Sequence, residues 1–210
     1  LDQVDQQSRR TETRIQRRNR ASIKQAALKV FARFGYEGTT LDQIADECDV
    51  SKQNFYYYFS GKEEIYRTLL DDLLVSWLTP LRKLDPNGDP LEEILRYTRA
   101  KIEMTKSFPE ESRLFANEII RGAPKIRWYL ETELKDLVDD KAFAIQRWVD
   151  DGSIAEIDPH HLIFTIWAIT QHYSDFETQI SILLPNQDSP ISGADLHVET
   201  VIRRILEKAF

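Results

Sequence analysis

The chain has 210 residues and a single cysteine, Cys48, which excludes an internal disulfide and any multi-cysteine zinc site. It has only seven glycines, and they form neither a Gly-rich phosphate loop nor a nucleophile elbow. No apolar run approaches the ~20 residues of a membrane span. The nearest, Leu162 to Ile169, is interrupted by Thr165. The four histidines, His160, His161, His172 and His197, show no metal-binding spacing such as HExxH. Basic residues are the minority, 28 against 35 acidic ones, for a net charge of -7. The N-terminal end lacks an apolar signal core, so a cytoplasmic chain is expected. The first residue is Leu1 rather than methionine, so further residues before it are expected as well.

With 41% hydrophobic and 30% charged residues, the composition is that of an ordinary globular protein of one or two domains. Its charge is divided unevenly. Residues 1–62 hold 11 Lys+Arg against 8 Asp+Glu, whereas residues 63–210 hold 17 against 27. From Arg9 to Arg33 there are nine basic residues, and only Glu12 is acidic. A locally basic end on an acidic protein suits contact with phosphates, because binding follows the local field. A solubilising tail is the plainer explanation of the same charges.

The dominant period is helical. Ile23, Ala26, Ala27, Val30, Phe31 and Phe34 make one apolar stripe, and Gly35 follows, which predicts a first helix over 20–34. Thr40 and Gln43 form a capping box for a second helix over 41–48. Ser51 is a natural cap for a third, ending near Tyr58, and Ser60 with Glu63 opens a fourth that Pro80 should end or kink. Further helices fit 91–107, 110–121, 124–151, 158–178 and 193–208, with an irregular connection over 180–192. The expected architecture is all-α, with about nine helices. It comprises a flexible basic arm (1–19), a small N-terminal helical unit (20–66) and a larger helical bundle (67–210).

Two short helices joined by a tight turn, the second polar at its start, form the helix-turn-helix pattern, whose second helix enters the major groove. Here that helix offers Ser51, Lys52, Gln53 and Asn54. Glutamine and asparagine can pair with adenine, and lysine with guanine or a phosphate. The tyrosines that follow can reach phosphates through their hydroxyls. An ordinary helical hairpin with a solvated face is the alternative, since Asp49 stands where this turn often has glycine.

The segments Phe34-Gly35-Tyr36-Glu37-Gly38-Thr39-Thr40, Ile44-Ala45, Val50-Ser51-Lys52, Tyr57-Tyr58-Phe59 and Lys62-Glu63 closely resemble the TetR family of bacterial transcriptional regulators. Gly122-Ala123-Pro124, Ile157-Asp158-Pro159, Leu162-Ile163-Phe164 and Thr170-Gln171-His172-Tyr173 resemble a pyrimidine-utilisation regulator within that family. The resemblance implies a homodimer with two DNA-reading heads on a palindromic double-stranded operator. It also implies a small-molecule effector, no cofactor and no membrane, with repression the expected mode. Carried onto this chain, the DNA contacts are Thr40, Ser51, Lys52, Gln53, Asn54, Tyr56, Tyr57 and Lys62. Arg14, Arg17 and Arg18 would add phosphate or minor-groove contacts from the arm.

For the effector, Trp167 and Gln171 are spaced i, i+4 on an otherwise apolar face. An amide beside an aromatic wall suits the N–H and C=O edge of a flat, neutral imide heterocycle. The same glutamine could instead satisfy a backbone group in the core. The residues thus point to a ligand class, and the resemblance narrows it to uracil, thymine or a relative. Trp77 lies on the fourth helix, roughly 22 Å along it from Lys62 at 1.5 Å per residue, and is a coupling candidate. Tyr173, Lys101, Arg113 and Phe115 are further effector candidates. Enzyme chemistry is disfavoured, because the paired acids Glu92-Glu93, Glu110-Glu111 and Asp139-Asp140 diverge on a helix. A helical adaptor that binds no DNA is the remaining alternative class.

Overall fold

A computed structural model describes residues 13–48, 50–189 and 191–208, and of Lys52 the backbone alone. The expected arm residues 1–12, the turn residue Asp49 and the Lys52 side chain lie outside the described residues. The described residues form ten helical segments and no strand. The chain divides into two compact units between Leu69 and Leu70.

In the first unit, α1 spans Arg14–Gly38. It begins before the apolar stripe does, because Thr13 and Gln16 close a capping box. The Gln16 amide donates to Thr13 Oγ1 at 3.2 Å, and the Thr13 amide donates to Gln16 Oε1 at 2.8 Å. Arg14, Arg17 and Arg18 are therefore helical rather than part of an irregular arm. Gly35 interrupts α1 with φ 67° and ψ 177°, a conformation closed to most other residues. Next come α2 (Leu41–Cys48) and α3 (Lys52–Tyr58). Ile23, Ala27, Phe31, Ile44, Phe55 and Phe59 are buried among them. The edge contact of Phe31 with Tyr66, 4.8 Å between ring centroids, adds the start of α4 to this core.

Helix α4 spans Lys62–Arg82. At its start the Ser60 amide donates to Glu64 at 2.6 Å, one residue beyond the expected partner Glu63, and this bond holds the Glu64 carboxyl below its usual range. Pro80 does not end the helix. It removes one backbone donor, but Leu78, Leu81 and Leu84 are all buried, so packing carries the helix past it.

In the second unit, α5 (Pro90–Ser107) starts at a proline capped by Asp89, and α6 spans Pro109–Ile120. The helix expected to start at Pro124 starts instead at Arg127. It runs as one segment, α7: Arg127–Tyr129, a π-helical turn Leu130–Leu134, then Lys135–Asp150. The delay has a cause in Glu118, whose buried carboxylate accepts from the Lys125 amide at 2.6 Å and holds the preceding segment in a turn. Helix α8 (Pro159–Asp175), capped by Asp158, stops at Phe176 rather than continuing to Thr178. There Ser174 and Asp175 are tied by hydrogen bonds to Thr105 and Ser112. The stretch expected to be irregular after residue 180 begins in α9 (Glu177–Leu183), and α10 covers Ala194–Leu206. Leu81, Leu95, Ile145, Trp148, Leu162 and Ile202 belong to one buried cluster. No helix of the described residues is long and apolar enough to cross a membrane.

Candidate DNA-reading and effector sites

Helix α3 is short and two-sided. Phe55 and Phe59 turn inward, each only 1% exposed, and anchor it from beneath. Ser51 caps it by accepting from the Asn54 amide at 3.3 Å. Gln53, Asn54, Tyr56 and Tyr57 stand exposed, as a helix that reads a groove requires. Thr40 caps α2: its amide donates to Gln43 Oε1 at 2.7 Å, and its hydroxyl accepts from the Gln43 amide at 3.2 Å. The arrangement offers hydrogen-bonding side chains at the start of α3, with phenol hydroxyls behind them.

Lys62 has a different setting from the other candidates. Its ammonium donates to the carbonyls of Tyr36 (2.8 Å) and Thr39 (3.0 Å) and lies 4.4 Å from the centre of the Tyr36 ring. It closes the turn after α1, which leaves at most one of its three protons for a phosphate. Helix α1 also grips the far end of α3. Gln16 Nε2 donates to Tyr57 Oη, Asn19 donates to Tyr58 Oη at 2.9 Å, and Arg20 donates to the Tyr58 carbonyl at 3.2 Å. The Arg20 guanidinium also lies 4.5 Å from the centre of the Phe59 ring. Pattern reading missed Gln16 and Asn19, although Thr13-x-x-Gln16 was a visible capping signature.

In the second unit, three effector candidates come together. The Lys101 ammonium sits 4.1 Å from the centre of the Trp77 ring, and Phe115 packs on the same indole at 6.1 Å. Lys101 is 4% exposed and Trp77 5%. Among the described residues nothing accepts a hydrogen bond from the Lys101 ammonium; its charge is opposed only by the ring and by the field of Asp175. Burial pushes its pKa down to about 7, against the pull of Asp175. Asp175 is itself shifted upward by burial and accepts from Ser112 Oγ at 2.6 Å.

The other candidates are distributed differently. Trp167 donates through Nε1 to Tyr97 Oη at 2.6 Å, and Tyr97 is buried with its phenol pKa raised. Gln171 is half-buried, with no hydrogen-bond partner among the described residues. Arg113 is bound to Glu177 at 2.7 Å and to the Ser174 carbonyl at 3.4 Å, which commits its guanidinium to structure. Tyr173 lines a groove of about 310 Å³ between α8 and α10, with His172, His197 and Val201. Pattern reading gave no role to Tyr97, Ser112 or Asp175.

Residues 23–69 match the model for bacterial regulatory proteins of the tetR family, and residues 70–209 match that for the C-terminal region of YcdC-like proteins. The chain belongs to the TetR family. The HTH-type transcriptional regulator RutR of Escherichia coli K12 is 42% identical over 186 residues, covering 89% of this chain and 84% of the relative. The uncharacterized HTH-type regulator YfiR of Bacillus subtilis is 26% identical over 196 residues, covering 89% of this chain and 93% of that one. A tetR-family regulatory protein from Rhodococcus RHA1 superposes with a TM-score of 0.71 at 20% identity, covering 91% of this chain and 98% of its own. AibR, solved with isovaleryl coenzyme A and operator DNA, superposes at 0.69 with 18% identity, covering 91% and 100%. These structures share the fold. As a TetR-family member, the chain is a helix-turn-helix transcriptional regulator with a C-terminal helical unit.

Proposed function

We propose that the chain is a cytoplasmic, homodimeric repressor that reads a palindromic operator through α3. On this reading, release follows when the second unit binds a flat heterocycle such as uracil or thymine. The half-sites lie about one DNA turn apart, ~34–36 Å, or a multiple of it. Effector and operator are coupled only by the effector's differential affinity for the two head arrangements. The ligand is bound and released unchanged.

The single observation that carries the effector reading is Lys101, a side chain only 4% exposed whose ammonium lies over the Trp77 ring with no acceptor among the described residues. A ring carbonyl would give this ammonium a hydrogen-bond acceptor. Trp77 and Phe115 are the aromatic side chains at this position, and Gln171 carries both a donor and an acceptor, with no partner among the described residues. The resemblance of the C-terminal segments to a pyrimidine-utilisation regulator, together with the 42% identity to RutR, supports a pyrimidine within that class.

Thermal melting of the purified chain with a panel of nucleobases tests this. A ligand that prefers the folded state raises the midpoint by mass action. Uracil or thymine is expected to do so and to release the chain from its operator. No shift at millimolar uracil or thymine would move the effector to another planar amide.

A further inference from the structure

We propose that Gln16 is a positioning residue for DNA binding: its amide fixes Tyr57 Oη as an acceptor on the protein side, so that the Tyr57 proton is directed outward to a backbone phosphate. The inference rests on the reading of α3 as the DNA-reading helix.

The direction of each bond follows from what each atom can do. Gln16 Oε1 takes the Thr13 backbone N–H, which can only donate. That bond fixes which end of the amide is oxygen, so the end facing Tyr57 is Nε2. Nε2 carries only protons, so Tyr57 Oη must accept. The phenol's own proton is then turned away from Gln16, and no described residue accepts it. Tyr57 is 67% exposed, so the proton faces solvent. An O–H whose oxygen already accepts a bond is polarised and becomes a better donor. Phosphate oxygens accept only, and they are the natural partner for a surface donor that has no acceptor role left on its protein side. The exposed Arg14, Arg17 and Arg18 occupy the same first turns of α1 as Gln16, so their field draws the polyanion to this end.

The substitution Gln16→Glu separates this role from helix capping. A glutamate serves the capping box equally well, but its carboxylate would take the Tyr57 proton and leave none for phosphate. The test measures affinity of the full chain for a duplex that the unaltered protein selects from a random-sequence pool, with far-UV circular dichroism and melting as fold controls. Tyr57→Phe is expected to weaken binding about tenfold, the scale of one hydrogen bond to a charged group. It should leave the salt slope unchanged, because a neutral hydroxyl displaces no counterion. Gln16→Glu is expected to weaken binding about tenfold with Tyr57 present, but about twofold or less in the Y57F background. Equal losses in the two backgrounds would mean that Gln16 acts through charge or capping alone, and would overturn the proposal. Unchanged affinity of Y57F would overturn it too. If the unaltered protein enriches no duplex, the DNA-reading function fails along with it. A selected duplex with additive losses removes only the role of Gln16.

Discussion

The two units handle polar side chains in opposite ways. In the first, the groups that matter stand at the surface, and the only described polar residue with its side chain in the core is Thr39. In the second, Lys101, Thr98, Thr105, Ser112, Glu118, Thr170 and Ser174 are all buried. The difference matches two recognition problems. A polyanion is bound in water by fields and counterion release, so its reader needs exposed, oriented donors. A small ring is bound by a few directed bonds in a dry site, where a misplaced polar group is expensive. The first unit fixes its donors with side-chain bonds from α1 to α3, such as Gln16–Tyr57 and Asn19–Tyr58. The second fixes its groups by enclosing them.

If that contrast is right, Trp77→Ala has the largest effect. It should cost about 3–5 kcal/mol of stability as a core truncation and abolish any effector-induced rise in melting temperature, both read in one melting series. The next largest belongs to Lys101→Met. The folded ammonium titrates near 7 because burial disfavours its charge, while the unfolded one keeps the ordinary value of 10.5. Across that window the unfolded chain holds the extra proton, so stability rises with pH from about 7 toward 10.5. In K101M this rise, on the order of a few kcal/mol, should disappear from urea midpoints measured against pH. The effector response should disappear with it.

A smaller effect tests whether Lys62 serves the fold or the DNA. Its two carbonyl bonds predict that Lys62→Ala lowers stability by about 2 kcal/mol while the salt slope of operator binding stays near that of the unaltered chain. A slope reduced by about one with stability intact would instead make Lys62 a phosphate contact. The smallest expected change in stability is that of Arg17→Ala, an exposed helical position. It should leave melting within about 0.5 kcal/mol and reduce the salt slope by about one, as titrations at several salt concentrations would show.

Much of the first unit was legible because its signals are local. The stripe from Ile23 to Phe34, the Thr40–Gln43 box and the Ser51 cap each act within a turn or two of one helix. The start of α1 at Arg14 was equally local, and was missed because the apolar stripe begins later than the capping box. The second unit was harder. Whether a helix can start at Pro124 depended on Glu118, whose carboxylate reaches across a loop to the Lys125 amide. The end of α8 depended on Ser112 and Thr105, far away in the chain. Pro80 sits inside α4 because burial of its neighbours outweighs one lost backbone bond.

The candidate sites divide along the same line. Gln53 and Asn54 were legible as the polar start of a helix-turn-helix reader, and Tyr56 and Tyr57 came with the family resemblance; all four are exposed. Lys101 was an effector candidate, but nothing in the sequence placed it on Trp77, and Arg113 gave no sign that Glu177 would occupy it. Tyr173 and Trp167 share α8, yet Tyr173 belongs to a groove against α10 and Trp167 bonds Tyr97.

By itself the sequence determined an all-helical chain with a helix-turn-helix at its amino end, because helical period and capping are set by residues three or four positions apart. Only the tertiary structure decided that Lys101 meets Trp77, that Lys62 closes a turn and that Gln16 bonds Tyr57. Those contacts join residues 23 to 41 positions apart, and a side chain's protonation and hydrogen-bond direction depend on neighbours that only packing supplies.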